Sequence, residues 1–426
     1  MKSVFHRLRL LLILACCSTA AHGQLAASVQ PAPGAELLTL DQAEKLFNER
    51  NRELRAARRN TEGAEADIVS ARARPNPTLS VGSTVSPSTG LGSGNLRNKN
   101  VNAALSLTQL LERGGKRELR TQAAEYSAAA ARSEESDVAR QQRGVLYAAY
   151  YDLVLAQDKI RVTEDTAGLF NRTVDAATQR LKAGDISPTE LARISVDALR
   201  AQNDARTARA ERDKAQLVLG YLIGAEQSAS RIVAAESWPQ QQPALDPITL
   251  EQVLSQRADI AAARARMHAA ERQRELARSL RTRDVVAEVT YDRSADFAPN
   301  AIGITMSIPL FTSYYYQGEI RRAEVELQAA EEDLERTRAL ALADVQRAVS
   351  ELSAASERVR RFREVLLAAA EKAASGAEFA YTHGAIGVMD LLDARRQLYA
   401  TRLESVAAQA DYARALAAWR TATAIR

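Results

Sequence analysis

Cysteine is nearly missing from this 426-residue chain. Its two copies, Cys16 and Cys17, both lie in the first 23 residues. Any form that starts later has no disulfide and no thiolate ligand. Long apolar runs are missing too. No stretch beyond the N-terminus reaches 18 apolar residues, so no transmembrane helix is expected. Aromatics make up 5% of the residues, and no basic patch is interleaved with them, which removes the usual signature of a nucleic-acid partner. Histidine is scarce: after residue 23 only His268 and His383 remain, far apart, with Met267, Met306 and Met389 as the only methionines. No CxxC, H-x-x-H or methionine cluster exists, so no resident metal and no cofactor is expected. "LERGGKRE" (111–118) lacks phosphate-loop spacing and reads as a strand-to-helix corner. No nucleophile–base set is present, and the chain does not read as an enzyme.

Proline is absent where its absence matters most. The eleven prolines leave residues 88–187 and everything after 309 empty. A helix cannot carry proline in its interior without breaking. The segments Lys116–Lys182 and Glu319–Thr382, rich in Ala, Leu, Arg, Glu and Gln, therefore read as very long helices. At 1.5 Å per residue each is about 100 Å long, which suits an antiparallel hairpin better than a globular core.

Residues 1–23 have Lys2, Arg7 and Arg9, then "LLLILACC", then small residues up to "TAAHGQ". This pattern is a secretory signal, with cleavage expected after Gly23. "ILAC" (13–16) also resembles a lipobox, which would leave Cys16 as a lipidated terminus. Loss of the signal removes three basic residues and lowers the formal charge from +4 to +1. The remaining charges of both signs alternate, as on solvated helix faces.

What is present is repetition. "TLDQAEKL" (39–46) returns as "TLEQVLSQ" (249–256), and "NREL" (51–54) as "RADI" (257–260). "RLKAGDISPTELARI" (180–194) returns as "AYTHGAIGVMDLLDA" (380–394). Each half reads helix, strand pair, long helix, turn, helix. After a linker at 24–38, the first repeat spans 39–224, with strands 77–86 and 100–110 and a turn at 184–187. A Pro/Gln-rich linker covers 225–248. The second repeat spans 249–426, with strands 284–293 and 301–310 and a turn at 384–387. The fold class is mainly α with a small β part. The strands alternate with period 2: Leu79, Val81 and Val85 share a face, as do Ile302, Ile304, Met306, Ile308 and Leu310. Both a membrane barrel and a half-buried soluble sheet show this pattern. Four strands are too few to close a barrel alone, so membrane strands would have to be shared among several copies.

The duplicated plan, the two G-x-I turns and "MDLLDARRQLYATR" (389–402) resemble the TolC-like outer-membrane factor family. "SIPLFTSYYYQGEIRRAEVE" (307–326) and "GDISPTELARISVDALRAQND" (184–204) are similar to its heavy-metal efflux members, the cobalt–zinc–cadmium (CzcC) type. The resemblance implies a homotrimer with a shared twelve-stranded barrel in outer-membrane lipid and an α-barrel in the periplasm. It implies a periplasmic adaptor protein docked at the helix tips and, through it, an RND-type proton-driven pump in the inner membrane. The chain itself would be a passive exit duct. The alternatives are a duct for drugs or secreted proteins, and a soluble periplasmic coiled-coil adaptor.

By the same resemblance, Asp390 and Asp393, six and nine residues after Gly384, would ring the constriction. Such a ring attracts cations and repels anions. As residues, first-turn acids also simply complement a helix dipole. Glu190, six after Gly184, and Tyr381, three before Gly384, fall at family gate positions. Ser187, Pro188 and Glu190 equally read as a capping box. The family's basic gate partner is Ile386 here, so the network must differ. Gly184, Asp185, Ile186 and Ser187, with Gly384, Ala385, Ile386 and Gly387, are the expected adaptor-contact tips. Ile186 and Ile386 are expected to be exposed there.

Overall fold

The computed structural model describes residues 36–87, 99–235, 237–241, 250–293 and 300–424. The expected signal with Cys16, residues 24–35, the loop residues 88–98 and 294–299, and residues 242–249 lie outside the described residues.

The elements in chain order are β1 (Glu36–Leu38), α1 (Leu40–Arg50), α2 (Arg52–Arg72), β2 (Thr78–Pro87), β3 (Lys99–Leu111), α3 (Lys116–Ala183) and α4 (Pro188–Leu222). There follow a 3-10 turn (Glu226–Arg231), β4 (Ile232–Ala234), α5 (Leu250–Gln256), α6 (Ala258–Ser279), β5 (Val285–Arg293), β6 (Ala301–Ser307) and α7 (Gln317–Arg361). A π-turn (Phe362–Leu366) joins α7 to α8 (Leu367–Thr382), and α9 (Val388–Thr423) completes the second hairpin. The fold is mainly helical and duplicated. β6 stops at Ser307, short of 310, because Pro309 cannot donate to a ladder. The second long helix is not uniform as expected: the π-turn inserts a looser segment where α3 runs unbroken for 68 residues.

β2, β3, β5 and β6 form one antiparallel sheet in that order. Its register lines up Leu79, Leu107, Val289 and Ile304 in one row, and Val81, Leu105, Tyr291 and Ile302 in the next. These side chains are exposed, Val81 at 76% and Ile304 at 78%. The opposite face is small and polar: Ser80, Ser106, Thr290 and Gly303 lie in register. Among the described residues the outer strands β2 and β6 each leave one edge unpaired.

α3 packs on α2, α4, α6 and α9, and α7 on α6 and α9. Alanine lets these long helices approach: Ala123, Ala128, Ala149, Ala156 and Ala167 are buried on α3. Larger side chains gather near the middle. Phe47, Leu146, Tyr150, Leu153 and Leu219 form one cluster, and Leu352, Phe362, Tyr412, Leu416 and Trp419 another. The linker straps the helices together. The Trp238 indole donates to Asp158 at 2.8 Å, and Gln241 donates to the Ser356 carbonyl at 2.9 Å.

The duplication extends to a buried lock. Asn51 caps α2 through the Leu54 N–H (3.0 Å) and donates to the Leu222 carbonyl at the end of α4 (3.1 Å). In the second half Arg257, the counterpart of Asn51 in the repeat, donates to the Ala422 carbonyl at the end of α9 (3.2 Å). Its charge is matched by Asp259 at 2.6 Å, and its side chain is 2% exposed.

Candidate functional site

Both hairpins reverse at glycine. Gly184 (φ 82°) and Gly384 (φ 72°) adopt the left-handed conformation that a side chain disfavours. The Asp185 N–H donates to the Arg180 carbonyl (2.9 Å) and the Ala385 N–H to the Ala380 carbonyl (2.8 Å), closing matching turns.

The following helices start differently. In the first, the Ser187 hydroxyl accepts the Glu190 N–H at 3.2 Å, and Pro188 opens α4. The Glu190 carboxylate makes no ion pair or hydrogen bond among the described contacts. In the second, Gly387 has no side chain to cap with. The Asp390 carboxylate instead accepts the Gly387 N–H at 3.2 Å.

Ile186 and Ile386 are half-buried rather than exposed. Ile186 packs against the cluster of Phe170, Ile194, Val388 and Leu392, with Tyr381 and Met389 at its edge. The first turn folds Ile186 back over the end of the alanine seam, where it excludes water. Gly184, Asp185, Ser187, Gly384, Ala385 and Gly387 remain exposed.

Several side-chain links join the hairpins near the tip. Arg180 on α3 donates to the Tyr381 hydroxyl on α8, with its guanidinium 5.8 Å from the ring centroid. Arg396 on α9 donates to Asp197 on α4 and, at 2.6 Å, to Asp393. Asp197 is 7% exposed, so Arg396 neutralises a carboxylate that has little water. One turn further along α9, the Tyr399 hydroxyl donates to Asp204 (3.1 Å). Burial, reinforced by Asp204, pushes that phenol well above its usual value. Arg395 donates to Thr173 on α3 (2.9 Å). Between the hairpins lies a groove of about 330 Å³, walled by Leu169, Arg180, Ile194, Tyr381, Leu391 and Arg395.

Thus Tyr381 and Ile186 come together, and Asp393 is tied to the first hairpin through Arg396. Asp390 is used by its own helix, and Glu190 stands apart. Arg180, Asp197 and Arg396 are the residues that sequence reasoning missed. The available signal was Asp197, an acid in the apolar stripe Ile194, Ala198 and Ala201, which demands a cationic partner.

The described part of the chain is thus a four-stranded sheet with exposed apolar rows carried on long helical hairpins, the longest helix, α3, being about 100 Å. The chain matches the model of the outer membrane efflux protein family over residues 45–225 and 249–424, and it belongs to that family. It is 26% identical over 379 residues to the cobalt-zinc-cadmium resistance protein CzcC of Cupriavidus metallidurans, covering 88% of this chain and 87% of that one. Among solved structures it resembles CusC (TM-score 0.75, 18% identity, 95% of this chain and 96% of that one). It also resembles VceC of Vibrio cholerae (TM-score 0.74, 20% identity, 90% and 95%) and the open state of MtrE of Neisseria gonorrhoeae (TM-score 0.74, 20% identity, 90% and 88%). At these identities the structural likeness speaks for the fold, which is that of a channel.

Proposed function

We propose that this chain is the outer-membrane exit duct of a three-part, proton-driven efflux system for divalent metal cations of the cobalt, zinc and cadmium class. The observation that carries the metal reading is the likeness to CzcC along nearly the whole of both chains. The duct is passive, and its substrate is cargo rather than a resident ligand.

The sheet argues for assembly. A lipid-facing sheet cannot leave strand edges unpaired in hydrocarbon. The free edges of β2 and β6 are satisfied when β2 of one copy pairs with β6 of the next. Three copies, the number implied by the family, give twelve strands. The exposed turns 184–187 and 384–387 are then the contact for a periplasmic adaptor, which joins the duct to an RND-type pump. Asp390 and Asp393 from three copies place six carboxylates around the axis. Tyr381 and Glu190 are the further gate residues of this reading, and the Arg180–Tyr381 and Arg396–Asp197 links hold the tip in the present arrangement.

The test is growth of a strain lacking this gene, with and without complementation, on graded zinc, cobalt, cadmium, nickel, copper and several hydrophobic drugs. Metal hypersensitivity rescued by the gene supports the reading and names the cation. Drug hypersensitivity with normal metal tolerance overturns it.

A further inference from the structure

Where the sheet meets the helices, the corner between Arg74–Pro77, the end of β3 and the start of α3 encloses a cleft of about 610 Å³. Gln109 and Leu111 continue the row of Leu105 and Leu107 into it, so the cleft adjoins the apolar face. Two of the charged residues that line it are already matched. Glu112 is held by Arg120 at 2.7 Å, and Lys116 by Asp284 at 2.8 Å. Arg74 and Arg117 line the same cleft, and their guanidiniums make no ion pair or hydrogen bond among the described contacts. Glu118, which accepts from Gln122 at 3.2 Å, is the one lining acid without a cation. Beyond β6, Phe311 lies 5.2 Å from the Arg283 guanidinium, and Tyr314 and Tyr315 are exposed, as aromatics are at a bilayer interface.

We propose that this corner binds the headgroup of an anionic phospholipid such as phosphatidylglycerol. The phosphate sits on Arg74 and Arg117, and the acyl chains lie along the row of Leu79, Leu107 and Leu111. The inference rests on the reading of the sheet as the membrane segment. Two observations choose the occupant. The cleft is continuous with the apolar row, which wants hydrocarbon, and its unmatched charges, Arg74 and Arg117 against Glu118, are basic in net, which wants an anion. A lipid headgroup supplies both in one molecule.

The experiment reconstitutes the full-length assembled protein in vesicles of equal phosphatidylglycerol and phosphatidylcholine. It then counts the lipids retained after extraction by native mass spectrometry. Each basic residue near an anionic headgroup contributes about a factor of five, so two give a preference of about 30-fold for phosphatidylglycerol. The Arg74→Gln/Arg117→Gln double variant should fall to near parity, and Arg74→Lys/Arg117→Lys should keep most of the preference. Equal retention of the two lipids by the wild type, an unchanged preference in the glutamine variant, or displacement of the lipid by inorganic phosphate would each overturn the inference. Insertion without lipid preference sinks this proposal alone. Failure of the wild type to enter the bilayer sinks the membrane reading with it.

Discussion

Replacing Arg396 with alanine tests the tip most directly. In the folded chain its guanidinium joins α9 to α4 through Asp197 and also pairs with Asp393. The Asp197 side chain is 7% exposed and Arg396 43%, so the bridge is half screened. A fully buried pair loses about 3–5 kcal/mol when one partner is removed, and an exposed one about 0–1 kcal/mol. For a buried carboxylate facing a half-exposed arginine, about 1–2 kcal/mol is the consistent value. That loss falls on local opening of the tip and leaves the middle clusters around Phe47 and Trp419 untouched. Amide hydrogen exchange at residues 184–190 and 384–391 should therefore accelerate about 5- to 30-fold, while the middle of α3 stays unchanged. Asp197→Asn, which keeps the shape and removes the charge, should give a smaller increase, and the double variant should not exceed Arg396→Ala. Unchanged exchange at the tip in Arg396→Ala would refute the claim that this bridge holds the hairpins together.

Three further outcomes follow from the same structure. If the sheet faces lipid as proposed, Ile304→Arg puts a charge in the middle of the apolar row at a cost of about 2–4 kcal/mol per copy, and should sharply reduce recovery of the proposed assembly from detergent extracts of membranes, read by native electrophoresis. Arg257→Ala leaves Asp259 with only the more distant Arg140 (3.8 Å). It should lower the thermal midpoint more than Asn51→Ala, since a buried ion pair costs about 3–5 kcal/mol to break and a neutral capping bond about 1–2 kcal/mol. Asp390→Asn/Asp393→Asn should move the reversal potential of the reconstituted channel toward zero in a salt gradient, and an unmoved potential would show that these acids do not face the permeation path.

Much of the architecture is readable in the residues because it depends on local periodicity. Proline-free stretches mark the long helices, and period-2 alternation marks which strand residues share a face. The pairing of β3 with β5 was not readable in this way. Alternation says which face is apolar but not which strand lies alongside, and this contact joins two repeats far apart in sequence. The π-turn at Phe362–Leu366 was also missed, because "RFREVLLAAAE" has the composition of an ordinary helix. Its cause lies in packing. Phe362 is the last residue of its cluster on this helix, and Ala374 is the only buried residue of α8. The helix changes its winding where its core support ends.

The two acids that follow the second glycine do different work. The first hairpin caps itself with Ser187 and Pro188 and needs no carboxylate. The second has Gly387 at the cap position, and Asp390, at the third helical position, reaches back to accept the Gly387 N–H through its carboxylate, while its own N–H has no cap side chain to donate to. Asp393, three residues on, is too far along to cap and is left for Arg396. Exchanging Gly387 for serine should add the missing half of the capping box, a hydroxyl that accepts the Asp390 N–H as Ser187 accepts that of Glu190, so the helix end no longer depends on the Asp390 carboxylate alone; the turn should not move, because Gly387 has an ordinary extended φ of −77°. If Asp390 then becomes replaceable by asparagine at no cost in stability while the effect on ion selectivity persists, its two roles are separate. If the selectivity effect vanishes with the cap, the carboxylate acts only through the helix end.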